Sequence, residues 1–118
     1  MSMNAKLIVA LDFPQINAAL QLVDAAGDAV EWYKVGKQLF TLCGPAVIHE
    51  LKARGKKVFL DMKYHDIPNT VAGAVRAAAA IGADIINVHA SGGPEMLKAA
   101  AEAANDTGKL VIAVTVLT

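Results

Sequence analysis

Asp61, Lys63 and Asp66 stand in an acid–x–base–x–x–acid spacing within LDMKYHDIPNT, Leu60 to Thr70. On a strand, residues two apart face the same side, so Asp61 and Lys63 would meet. Asp66 falls just past that strand, and Pro68 would open a helix with Thr70 in its first turn. In a low-dielectric pocket such a set is coupled. Each carboxylate favours a charged lysine, and the two carboxylates disfavour each other's ionisation. That arrangement suits a reaction in which negative charge develops on carbon and is quenched by a nearby ammonium proton. The plainer reading is a surface ion-pair cluster, its acids drawn to a helix start by the dipole.

A wider regularity favours chemistry. Asp12, Lys34, Asp61, His89 and Thr115 each end an expected strand, at intervals of 22, 27, 28 and 26 residues. Each interval is about one βα unit. In a parallel α/β protein the carboxyl ends of the strands converge on one face, and that face carries the site. Asp12 and Lys34 would bring a second acid and base to it.

The elements that must position these residues follow from hydrophobic periodicity. LIVAL at 7–11, VFL at 58–60, IINV at 85–88 and LVIAV at 110–114 are short, continuous apolar runs. Such runs predict parallel strands covered on both faces. EWYKV at 31–35 is a less apolar strand of the same series. Alanine-rich stretches at 15–27, 37–54, 69–81 and 93–105 have helical spacing. Pro45 and Pro94 suit first turns of helices, and Gly27, Gly55, Gly82 and Gly108 sit where helices should stop. Four strand–helix units and a fifth strand therefore predict an α/β fold with right-handed crossovers. A complete (βα)8 barrel needs about 250 residues, so 118 would make half of one, a single partial domain over 1–118.

Composition narrows the function. With 11 basic and 11 acidic residues the net charge is zero, which argues against nucleic-acid or anionic-membrane binding. No apolar run reaches the 18 or more residues of a membrane span. The apolar stretch near the start is too short for a signal peptide. One cysteine, Cys43, excludes an internal disulfide and suits a reducing, cytoplasmic setting. Cys43, Trp32 and Phe40 are expected to pack, and His49 to be solvated. His49, His65 and His89 lack metal-ligand spacing. His89 could carry protons but is expected to be a structural strand-end residue. SGGP at 91–94 fits a tight βα turn better than an anion loop.

Five segments carry a resemblance: LIVALDFP with Asp12, WYKVGKQLF with Lys34, FLDMKYHDIPNT, NVHASGG with His89, and AVTVLT. Over essentially its whole length the chain resembles the N-terminal half of the orotidine 5′-phosphate decarboxylase family, in the group found in most bacteria. Asp-x-Lys-x-x-Asp is shared with related sugar-phosphate enzymes; Ile67-Pro68-Asn69-Thr70 makes the resemblance specific. It implies conversion of orotidine 5′-monophosphate to uridine 5′-monophosphate in pyrimidine synthesis, without metal or organic cofactor. Lys63 would be the general acid at C6, and Asp61 would sit beside the substrate carboxylate. Lys34 and Asp12 would hold the ribose hydroxyls. Asp66, Ile67 and Thr70 would reach a neighbouring subunit's site in a dimer, and Thr118 would lie at the pyrimidine end of the fifth strand.

The family's phosphate-gripping elements would lie downstream of Thr118. The 118 residues alone are therefore expected to associate, with themselves or with a complementary C-terminal half, and to turn over little substrate. Two alternatives stand beside this: a metal-assisted sugar-phosphate decarboxylase or lyase on the same barrel plan, and a non-catalytic half-barrel assembly unit.

Overall fold

The computed structural model describes residues 5–117. Helices and strands alternate: β1 Ile8–Ala10, α1 Ile16–Ala26, β2 Trp32–Gly36, α2 Lys37–Cys43, α3 Ala46–Ala53, β3 Lys57–Tyr64, α4 Pro68–Ala80, β4 Ile85–His89, α5 Pro94–Thr107 and β5 Leu110–Val114. Short 3-10 turns follow α1 and β4. The strand order is that of the chain, β1-β2-β3-β4-β5. β1 pairs β2 in parallel with Ala10 opposite Lys34, and β4 pairs β5 in parallel with His89 opposite Val114. The fold is the expected α/β alternation. Two compact units divide the chain, Met1–Phe59 and Leu60–Thr118.

In the first unit, Tyr33 and Val35 of β2 alternate with Lys34, and both are fully buried. Val47, Ile48 and Leu51 on α3, with Ala19 and Val23 on α1, recur at three- and four-residue spacing and complete its core. The helix expected over 37–54 is two helices. Gly44, at φ 61°, turns the chain and Pro45 caps α3, so the proline that marks a helix start also ends the preceding one. Behind α1, Lys56 Nζ donates to the carbonyls of Gly27 at 2.7 Å and Val30 at 2.9 Å, satisfying oxygens that the helix end leaves free.

Tyr33 is the residue of this core with an unmet polar group: among the described residues its buried hydroxyl has no partner. Burial pushes its phenol up from the ordinary range. An unsatisfied buried hydroxyl carries its full desolvation penalty, so Tyr33→Phe should raise stability by about 1 kcal/mol in urea unfolding. A lower unfolding midpoint than the parent's would contradict this.

Arg54 at the end of α3 reaches back to α1. Its Nε donates to Asp24 Oδ1 at 2.8 Å, and its Nη1 to Glu50 Oε2 at 2.7 Å. The hydrogen bond from Arg54 holds the Asp24 carboxyl below its ordinary 3.8. A lowered folded-state value means the contribution is complete above the ordinary value and is lost as pH falls through the folded one. Asp24→Asn should therefore lower the urea midpoint at pH 6 and leave it close to the parent's well below pH 3.8. A gap that persists undiminished in acid would assign the effect to packing instead.

In the second unit, α4 buries Val71, Val75 and Ala78, and α5 buries Met96, Ala100, Ala103 and Ala104. Gly108 ends α5 in the left-handed region at φ 71°, as expected of a helix stop. A side chain at Gly92 would run into Met96 Sδ, so SGGP is a turn closed by packing.

Two strands depart from the expectation of cover on both faces. Ile8 of β1 is 41% exposed, and Leu110 and Ile112 of β5 are 56% and 41% exposed. These are the first and last strands in the sheet order, each with a neighbour on one side. An apolar run states what a strand needs, not what covers it.

Candidate active site

β3 is the element that builds the site. It is eight residues long, and its buried positions Val58 and Leu60 lead directly into Asp61, which is itself only 8% exposed. Asp61 thus lies inside the strand, not at its end as the sequence spacing had it. Lys34 is likewise inside β2, and Asp12 lies two residues beyond β1. A polar residue stops an apolar run, yet in β2 and β3 the backbone ladder continues through it.

Lys63 and Asp61 do meet: Lys63 Nζ lies 2.7 Å from Asp61 Oδ1. The ammonium is partly open, with 30% of the Lys63 side chain exposed against 10% for Asp61. An ion pair with one buried partner needs further hydrogen bonds to offset desolvation. One comes from Asn87 on β4, whose Nδ2 donates to the same Asp61 Oδ1 at 2.7 Å. Asn87 Oδ1 in turn accepts from the backbone N–H of Lys63 at 2.8 Å. Asn87 is 2% exposed.

The backbone at Lys63 is unusual. Its φ is 52°, and among the described residues it is the one non-glycine with positive φ. Such a conformation costs roughly 1–3 kcal/mol and persists only where the surroundings impose it. Residues two apart on β3 thus meet, though the strand is not regular at Lys63.

The other expected residues divide as follows. In the first unit, Lys34 Nζ is 3.8 Å from Asp12 Oδ1, with Lys34 one-quarter exposed and Asp12 largely so. In the second unit, Asp66 Oδ1 accepts from the Ile67 amide at 2.7 Å, ordering the turn into α4. Residues 65–70 are all exposed, including Ile67 at 65% and Thr70 in the first turn of α4. Thr118 lies outside the described residues.

His89 takes the structural part. Its Nδ1 accepts from the Ser91 amide at 3.1 Å, capping the 3-10 turn, and its ring stacks on His65 at 5.7 Å between centroids. Tyr64, ending β3, has its phenol pushed up by burial. No helix among the described residues is long and apolar enough to cross a membrane.

Asn87 is the site residue that sequence reasoning missed. Its signal was present: one amide inside the apolar run IINV, between Ile86 and Val88, both buried.

The chain has counterparts among known proteins. The model of the orotidine 5′-phosphate decarboxylase / HUMPS family matches residues 5–118. Orotidine 5′-phosphate decarboxylase of Alkalilimnicola ehrlichii is 53% identical over 117 residues, 98% of this chain and 50% of that protein. The protein of the same name from Halorhodospira halophila is 56% identical over 115 residues, 96% of this chain and 49% of its own length. A crystal structure of orotidine 5′-monophosphate decarboxylase from Methanocaldococcus jannaschii, complexed with inhibitor BMP, superposes with a TM-score of 0.86 at 36% identity. It covers 93% of this chain and 51% of that one. The chain spans about half the length of the curated relatives it matches.

Proposed function

The chain belongs to the orotidine 5′-phosphate decarboxylase / HUMPS family, and from that premise we propose that it supplies the proton-donating half of an orotidine 5′-monophosphate decarboxylase. The observation that carries the reading is the 2.7 Å pair of Lys63 Nζ and Asp61 Oδ1, within the Asp-x-Lys-x-x-Asp spacing and followed by Ile-Pro-Asn-Thr. The C6–carboxylate bond breaks, carbon dioxide leaves, and the electron pair remains on C6. Lys63 donates its ammonium proton to that carbon, giving uridine 5′-monophosphate, and regains a proton from water. Asp61 sits beside the departing carboxylate and orients the lysine. Lys34 and Asp12 bind the ribose hydroxyls. Neither step draws on a metal or organic cofactor.

In this reading residues 1–118 act as one partial barrel domain, in the cytoplasm, as part of a dimer. Asp66, Ile67 and Thr70 serve the neighbouring subunit's site. The exposure of the whole 65–70 stretch, an isoleucine included, supports a partner there. The exposed apolar residues of β1 and β5 support completion by further barrel strands.

The test is calorimetric titration of the inhibitor BMP into residues 1–118 folded together with the downstream half of the A. ehrlichii protein. Saturable binding of one molecule per reconstituted chain is expected. A soluble, folded complex that takes up no BMP would overturn the proposal.

A further inference from the structure

Within the proposed decarboxylase site, we infer that Asn87 is a positioning residue, which clips the Asp61 carboxylate and the Lys63 backbone into their working arrangement. The inference rests on that reading of the site. Its geometry is a bridge. One face of the amide donates to Asp61 Oδ1 at 2.7 Å, and the other accepts from Lys63 N at 2.8 Å. Asp61 Oδ1 thereby receives two donors, Asn87 Nδ2 and the Lys63 ammonium, each at 2.7 Å.

Strand packing alone does not explain an asparagine here. Its neighbours Ile86 and Val88 are 0% and 1% exposed, and an apolar residue would fill the place without burying an amide. What the amide does that valine or isoleucine would not is hold two groups at once. A carboxylate that accepts two donors has little rotational freedom, and a lysine backbone at φ 52° needs an acceptor placed for its displaced N–H. Aspartate would keep that acceptor but set a second carboxylate against Asp61. Leucine would leave the Lys63 amide and the Asp61 oxygen each one partner short. Among the described residues the amide of Asn87 bonds to two charged residues, both on β3: the Asp61 carboxylate and the backbone of Lys63. His89, two residues along β4, has His65 stacked on it.

Misplacing a reacting group by about 1 Å costs about 10²-fold in rate. In the reconstituted enzyme, N87D should lower kcat by about 10²-fold and move KM by only a few-fold. Its loss should deepen as pH rises, because the introduced carboxyl donates to Asp61 only while protonated. An N87D enzyme whose kcat and pH profile both match the parent's would overturn the inference.

A second readout needs no substrate. In the chain itself, carbon-13 NMR titration of the Asp61 carboxyl should show a higher midpoint in N87L than in the parent, because a donor to the charged form is gone. An unchanged midpoint in folded N87L would also overturn the inference, and where N87L does not fold, N87D decides. If the reconstituted parent does not decarboxylate, the functional reading fails, and the titration still judges Asn87 on its own.

Discussion

Lys63→Ala should abolish decarboxylation by the reconstituted enzyme, lowering kcat by at least about 10³-fold with the fold intact. A positioned proton donor contributes typically about 10²–10⁴-fold by itself. In the proposed reaction the same ammonium would also neutralise the charge that develops at C6, an electrostatic contribution that adds to proton transfer. The side chain is 30% exposed and its Nζ bonds to Asp61 at 2.7 Å, so its loss removes a bridge between site and solvent without opening a core cavity. Circular dichroism and the urea midpoint should stay near the parent's. Asp61→Asn should lose most of the rate as well, since the neutral amide keeps the shape but not the charge that orients the lysine. Single-turnover kinetics checks both. A Lys63→Ala enzyme within about tenfold of the parent rate would remove Lys63 from the chemistry.

Mixing two dead enzymes should restore activity. If Asp66 works in the neighbouring subunit's site, Asp66→Asn inactivates the partner's site while Lys63→Ala inactivates its own. A heterodimer of the two then holds one site with both lesions and one with neither. Random exchange of equal amounts makes half the dimers mixed, so roughly a quarter of the parent's activity should return. In this structure Asp66 binds the amide of Ile67 and stands in an exposed segment. That placement leaves its carboxylate at the surface, where a second chain can approach. Tagged subunits with exchange shown by mass spectrometry supply the measurement. Exchange without recovery would return Asp66 to a role within its own subunit.

What could be read from the residues follows the physics of each signal. Asp61 and Lys63 were legible because side chains two apart on a strand converge, and that held even with the backbone bent at Lys63. The strand boundaries were less so. A polar letter ends a hydrophobic run, but β3 continues four residues beyond Leu60, since backbone pairing does not depend on hydropathy. Asn87 was hidden by the opposite effect, being absorbed into an apolar run whose average outweighed it. The division of 37–54 was written in Gly44-Pro45, and only the helical spacing on either side masked it. The apolar runs did not themselves show the exposure of Ile8, Leu110 and Ile112, because covering a face is the work of residues elsewhere.

Residues 1–118 co-produced with the downstream half of the A. ehrlichii relative, which the chain matches at 53% identity over half its length, can be assayed directly for uridine 5′-monophosphate and carbon dioxide. Turnover of orotidine 5′-monophosphate should require both halves, continue undiminished in EDTA, and vanish with Lys63→Ala. A soluble complex that binds BMP yet releases no carbon dioxide, or one that still turns over with Lys63→Ala, would contradict the assignment.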